Sequence, residues 1–321
     1  MARDVNGVYS QDRRLMNFAR QLGSLPEAYI ALSVCPSMDV EKEVFKYYVF
    51  SRDDERAPGN TLRGPASPAH MVDFGLSTAT GTAFEYALET ELSEEEVEWS
   101  DGALSPEEDA TISLNRQKAL DTEIRFRDEI DATGDHAASH STTLAGTSQW
   151  SDYSNSTPLS DVSTGVTQII SATGRRPTHG WMSYEVFVKL QYHPDILNAI
   201  KYTGVGVATL DHMKTLFQVP NLFVGEAVYN SAKEGQTDVS AFVWGKDFFL
   251  GVVGQTLGRR DFTFGRHASR PVVKSGGQRD VTERTENDRN LTRCVRRRYS
   301  DTFLDVGMAV GGTYMIENAV A

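Results

Sequence analysis

Histidine and cysteine are the residue types here best suited to metal or nucleophilic chemistry, and their spacing decides whether they do any. His136 and His140 stand four apart in DHAASH, with Asp135 beside them, so on a helix both imidazoles would share one face as metal ligands. They follow the helix-stopping Gly134 in a serine-rich stretch, and they are therefore read as a solvated pair. In RRPTHGW, His179 lies between two arginines and a tryptophan, but no neighbouring acid is placed to orient it as a base. It is expected to be a strand histidine satisfied by the structure. His193, in QYHPDIL, precedes a helix-opening proline, and Asp195 suits the first turn. SEEEVEWSDG is rich in carboxylates, yet no two are spaced as an acid and base pair, and Ser93 with Glu96 reads as a capping box. TGVGVAT, residues 203–209, lacks the third glycine of a dinucleotide fingerprint. There is no P-loop, GxSxG or HExxH. Cys35 and Cys294 are too few for a disulfide framework and lack metal-ligand spacing, so a reducing compartment is expected. Nothing here predicts a catalytic residue, a cofactor or a metal.

The elements that would position such residues are easier to read. LSPEEDATISLNRQKALDTEIRFRDEIDATG predicts a helix over about 105–131. Ser105 is its N-cap, Pro106 takes the first helical position, and Glu108 completes a capping box. Ala110, Leu114, Leu120 and Ile124 share an apolar face, and acids crowd the first turn, where the helix dipole favours them. A rod of roughly 40 Å follows from the rise per residue. A modest helix is expected over residues 13–22 of the N-terminal arm. EVFKYYVF (43–50) and MVDFGLSTAT (71–80) are extended runs, and TAFEYALETEL is expected to turn helical after them. From Leu159 the pattern is α/β: a helix over 159–172, the strand HGWM, then YEVFVKL behind Ser183, DILNAIKY, and LDHMKTLF. NLFVGEAVY, SAFVW and FFLGVV read as short strands, with Gly245-Lys246-Asp247 as a tight turn, and the ending is again extended.

Two stretches lack a core of their own. FSRDDERAPGNTLRGPASP (50–68) has three prolines and two glycines but only Phe50 and Leu62 as large apolar residues. Fixing each backbone residue costs roughly 1–2 kcal/mol, so it is either a disordered linker or ordered by another molecule's surface. Between two extended runs it reads as a projecting β-hairpin. The serine- and threonine-rich stretch 139–158 is a second long loop to which the same question applies.

The chain has 321 residues, 40% hydrophobic and 24% charged, enough for one elaborated domain or two smaller ones. MARDVNGVYSQDRR lacks the apolar core of a signal peptide, and AFVWGKDFFLGVV is too short and too charged to span a bilayer. A soluble protein of the cell interior, or of something assembled there, is expected, with no membrane partner. The formal net charge of −12 argues against general nucleic-acid binding but is unevenly spread. Residues 89–115 hold ten acids and no Lys or Arg, whereas residues 259–298 hold twelve Lys or Arg against five acids, a net of +7. These stretches are two solvated faces, complementary surfaces by which like subunits meet head to tail, or, for the arginines, a phosphate-facing patch.

In order and spacing, these features resemble the major capsid proteins of tailed bacteriophages with the Hong Kong 97-type capsid fold. FSRDDERAPGN with MVDFGLSTAT looks like that family's extended loop, and LSPEEDATISLNRQKALDTEIRFRD like its spine helix. TGRRPTHGWMSYEVFVKLQYHPDILNAIKYTG is similar to its strand–helix–helix passage. NLFVGEAVYNSAKEGQTDVSAFVWGKDFFLGVV and GGTYMIENAV match in style and order. The resemblance implies an α+β fold with an N-terminal arm (1–40), an extended β-hairpin loop (41–80), and a peripheral domain with the spine helix (81–177). An α/β axial domain (178–285) and a return to the peripheral domain (286–321) complete it. It implies hexamers and pentamers forming an icosahedral shell around double-stranded DNA in a virion assembled in the host cytoplasm. The expected partners are other copies of the chain, a separate scaffolding protein, a portal, a decoration protein in some shells, and DNA bound without sequence specificity. The extended loop would lie across a neighbour, with Arg52, Asp53, Asp54, Glu55, Arg56 and Arg63 at the subunit interface. Lys42, Lys46 and Asn60 lie near that loop, but no pattern marks a crosslinking pair. An encapsulin-like compartment shares the fold, and a soluble α/β enzyme with loop lids over His179 or His193 is the remaining alternative.

Overall fold

The computed structural model describes residues 10–11, 29–49, 61–62, 71, 77–100, 105–132, 140–201, 207–233, 235–254, 262–272, 280–287, 292–304 and 311–321. The described elements begin with β1 (Ser10–Gln11), α1 (Ala31–Val34), β2 (Ser37–Asp39), β3 (Val44–Val49), β4 (Ser77–Thr82), β5 (Phe84–Ser93) and α2 (Glu94–Trp99). The long α3 (Pro106–Ala132), β6 (Ser141–Thr143), α4 (Pro158–Thr173), β7 (His179–Ser183), α5 (Tyr184–Gln191), α6 (Pro194–Ile200) and α7 (Leu210–Phe217) follow. The remaining strands are β8 (Asn221–Gly225), β9 (Val228–Asn230), β10 (Ser240–Phe242), β11 (Phe248–Gly251), β12 (Arg266–Arg270), β13 (Asp280–Asn287), β14 (Thr292–Leu304) and β15 (Thr313–Glu317).

The first sheet is organised by β14, which lends one edge to β5 and the other to β13 and then β12. β2 adds to β12 in parallel, and β1 touches β13 through two residues. The second sheet runs β6-β15-β11-β7-β8 and separates two apolar layers. Met182, Phe248, Leu250, Tyr314 and Ile316 face helices α4 to α7, which contribute Val162, Ile169, Val186, Leu190, Ile196, Met213 and Phe217. The intervening residues Trp181, Phe249 and Met315 face the other way, against Phe126 and Ile130 of α3 and Trp244. This alternation is the period-2 signature of a sheet buried on both sides.

Helix α3 joins the two sheets. Its first half sets Ala110 and Leu114 against Val295, Leu88 and Leu92 of the first sheet, and its second half inserts Phe126 and Ile130 beside the second. The 27 residues match the sequence expectation closely, and the Ser105 carbonyl accepts the first helical bond, from Asp109 N–H at 3.1 Å. The expected helices and strands from residue 159 to 251 also form, with Gly245 at φ 54° in the tight turn.

Two readings are corrected. TAFEYALETEL is not helical: residues 84–93 form β5, paired along their whole length with β14. Tyr86, Leu88, Thr90 and Leu92 alternate as the half-buried face, so cross-strand pairing has overridden the helix propensity of Ala, Leu and Glu. The stretch 140–158 is ordered by its own chain, because Trp150 is fully buried and its indole donates to Asp161 at 2.9 Å. The helix expected over residues 13–22 lies outside the described residues.

Candidate inter-subunit interface

The extended loop leaves the molecule as a two-stranded ribbon. β3 and β4 pair antiparallel from Val44 opposite Thr82 to Val49 opposite Ser77. Ala83 alone separates β4 from β5, so one run of chain, residues 77–93, passes from ribbon to sheet. The junction is tied by Ala83 N–H donating to the Glu43 carbonyl at 2.8 Å, and by Val40 N–H donating to the Ser269 carbonyl at 3.0 Å. A small cluster, Val40, Ala83 and Ala268 with Met38, Phe45 and Tyr47 against it, is the core beneath this root. Val44, Tyr48 and Phe84 are exposed. A two-stranded ribbon is marginal alone in water, and this one carries apolar side chains that its own chain does not cover.

Arg52, Asp53, Asp54, Glu55, Arg56 and Arg63 lie outside the described residues, as does His136. The two oppositely charged stretches, by contrast, meet within the chain. Arg296 of β14 stands opposite Glu89 of β5 and donates to it through Nε at 2.8 Å, with a second contact through Nη2. Arg298 Nε lies 3.2 Å from Glu85. Part of the charge asymmetry is therefore spent on an intramolecular ladder rather than on a neighbour.

Buried polar groups fix the frame that carries the ribbon, and sequence reading missed all of them. Arg125 of α3 donates to Asp301 of β14 at 2.7 Å and to Asp121 at 2.9 Å, and its guanidinium lies 3.9 Å above the Tyr86 ring. Tyr299 donates to Asp121 at 2.8 Å, and His267 lies 3.0 Å from the other Asp301 oxygen. Burial opposes ionisation of Asp301, but the hydrogen bonds from His267 and Arg125 hold its carboxyl below the usual carboxylate range. Arg127, one turn-half further along α3, reaches the second sheet through Asp247 at 2.9 Å and the Val243 carbonyl at 2.7 Å.

Glu123, two residues before Arg125 on α3, is almost wholly buried. It accepts Ile30 N–H at 3.1 Å, Ala31 N–H at 2.8 Å and the Trp244 indole N–H at 2.6 Å. One carboxylate thus joins the root of the arm, the long helix and the turn that leads into β11. Gly225 is required here, since a Cβ on it would sit 2.1 Å from the Trp244 ring. Burial raises the Glu123 carboxyl above its ordinary value, against the opposing effect of its three donors.

His193 and His179 make structural contacts. His193 caps α6: its Nδ1 accepts Asp195 N–H at 3.2 Å, which leaves Nε2 to donate to Ser156 at 2.8 Å. His179 begins β7, contacts Thr178 at 2.9 Å and stacks on Phe223. Burial pushes its pKa down to about 4. His140 is buried rather than solvated. Among the described residues, no group of three or more His, Cys, Asp or Glu could hold a metal ion, and no helix is long and apolar enough to cross a membrane.

No family model matches the chain. It is 27% identical to the major capsid protein of Pseudomonas phage JBD67 over 220 residues, 67% of this chain and 69% of that one. It is 26% identical to the major capsid protein of Burkholderia phage BcepMu over 251 residues, 75% and 76% of the two chains. Among solved structures, a phage-related protein from Bordetella bronchiseptica RB50 superposes with a TM-score of 0.73 at 21% identity, over 97% of this chain and 98% of that one. The SrpI encapsulin of Synechococcus elongatus PCC 7942 superposes with a TM-score of 0.58 at 11% identity, over 99% and 96%. The chain has the Hong Kong 97-type capsid fold, and in sequence it resembles the major capsid proteins of bacteriophages.

Proposed function

We propose that this chain is the major capsid protein of a tailed-phage particle, assembling as hexamers and pentamers into an icosahedral shell that encloses double-stranded DNA. The observation that carries this reading is the projecting β3–β4 ribbon, whose apolar residues are left exposed by a chain that resembles phage capsid proteins in sequence and fold. The ribbon gains its cover from a neighbouring subunit, and the loop beyond it, residues 50–76, lies across that neighbour. There Arg52, Asp53, Asp54, Glu55, Arg56 and Arg63 form ion pairs between chains. Each exposed pair contributes about 0–1 kcal/mol, and repetition over a closed shell makes small terms decisive. The role is structural, carried by interfaces rather than by a reacting group.

The arm (1–40), the loop (41–80) and a body of peripheral (81–177 and 286–321) and axial (178–285) regions divide the work. The loop reaches outward, the described parts of the arm pack on their own chain, and α3 holds the body together. A separate scaffold, a portal and, in some shells, a decoration protein complete the assembly, which forms in the host cytoplasm and persists in the virion. A second reading, an encapsulin-like compartment, is favoured by the superposition on the Synechococcus shell protein. The two part at the contents. Particles recovered from an infected or induced host contain nuclease-protected DNA if the chain is a capsid protein, and an enzyme cargo without genome-length DNA if it is a compartment.

A further inference from the structure

The ribbon joins the body through two strands, β2 leading into β3 and β4 leading into β5. A ribbon held by covalent continuity alone would swing about those two links. Here the second link is gripped just beyond Ala83. Tyr86 stands opposite Tyr299 of β14, with the two rings stacked at 5.6 Å and 22°. Its ring also lies 3.9 Å from the Arg125 guanidinium of α3, and Arg125 is held in turn by Asp121 and Asp301. Asp301 stands opposite Phe84, the first residue of β5, and its other oxygen meets His267 of β12. Next to His267, Ala268 packs in the small core beneath the root. The following residue, Ser269, accepts through its carbonyl from Val40, between β2 and β3.

We infer that Tyr86 and Arg125 are positioning residues that fix the direction in which the ribbon leaves the body, with α3 as its reference. The consequence for assembly rests on the shell-forming reading; the geometry does not. Two points define a line. Toward its far end β5 lies on α3 through Leu88 and Leu92, which pack with Ala110 and Leu114. Toward the ribbon it lies on α3 through Tyr86 beneath Arg125. Apolar contact is non-directional, so the far point resists separation without setting an angle. A guanidinium over a ring, hydrogen-bonded to two carboxylates, is fixed in orientation as well as in place. A symmetric shell needs every ribbon to meet its neighbour at a matching angle. A ribbon already aimed by its own chain also loses less freedom on docking.

Pulsed electron spin resonance on the dissociated full chain, diluted with unlabelled chain, tests the inference. Spin-labelled amino acids replace Lys46 of β3 and Gln117 of α3, both exposed. The expected result is one narrow distance in the parent, a severalfold broader distribution in Tyr86→Leu, and a narrow one in Tyr86→Phe, which keeps the ring. Arg125→Lys keeps the charge but loses the plane. It should broaden the distribution too, and it carries the test if Tyr86→Leu does not fold. Ile169→Ala, in the core of α4 beyond the second sheet, should lower the melting temperature without broadening. Tyr86→Leu should also raise the concentration needed for assembly severalfold. Distributions in the folded variants as narrow as the parent's, or a parent distribution already broad, would overturn the inference; shells that still form would leave the capsid reading intact. Broadening in Ile169→Ala as well would reduce Tyr86 to a general stabilising contact and overturn it too. A narrow parent distribution that Tyr86→Leu broadens, in a chain that never forms shells, would uphold the positioning role and count against the capsid reading alone.

Discussion

At the residue scale, the frame depends on a few buried charges, each bonded on several sides. Removing Arg125 leaves Asp121 and Asp301 without their cation, so Arg125→Met should destabilise the fold by about 3 kcal/mol. Denaturant unfolding of the dissociated subunit measures it. Burial lowers the pKa values of His179 and His193, so the folded chain resists protonation there while the unfolded chain accepts it near the ordinary value of 6.5. Below that pH the unfolded state binds more protons, and stability is lost as pH falls; for His179 the loss runs from 6.5 down to about 4. Thermal melts across that range should show a falling midpoint, with a shallower slope in His179→Gln. An unchanged slope would remove His179 as a source of the pH dependence. None of these contacts was legible in the sequence. Arg125 and Asp301 are 176 positions apart, Glu123 and Ala31 are 92 apart, and only the fold makes them neighbours.

At the element scale, the sequence announced α3 because a helix of 27 residues needs local signals at its start: a proline in the first turn, a run of acids, and an apolar repeat. It hid β5, because Phe84–Ser93 is rich in helix formers and becomes a strand only through β14, two hundred residues away. Trp150 was hidden differently, as a core side chain set among serines and threonines that suggest a loop. The ribbon was legible as two extended runs around a proline-rich connection, and its pairing from Val44 to Val49 gives a direct test. Since Val49 stands opposite Ser77, replacing residues 50–76 with Asn-Gly closes a two-residue hairpin without disturbing the register. That variant should melt within a few degrees of the parent yet fail to assemble by sedimentation. A large loss of thermal stability would mean that the loop supports its own subunit instead of a neighbour.

At the scale of the whole molecule, α3 bridges two sheets that are otherwise built from separate strands, while the β3–β4 ribbon belongs to neither. The chain spends its buried area on that frame and leaves Val44, Phe84 and Trp99 in solvent. Reversal of charge at both Arg52 and Arg56 should leave folded subunits that assemble poorly, and normal shells from that double variant would exclude those arginines from the contacts that matter. The central claim concerns assembly, so the decisive measurement is negative-stain electron microscopy of the purified chain, co-produced with its genomic neighbours, beside its sedimentation profile. Closed shells tens of nanometres across, with hexameric and pentameric capsomers, are the predicted result. A monodisperse monomer or dimer under those conditions would contradict it.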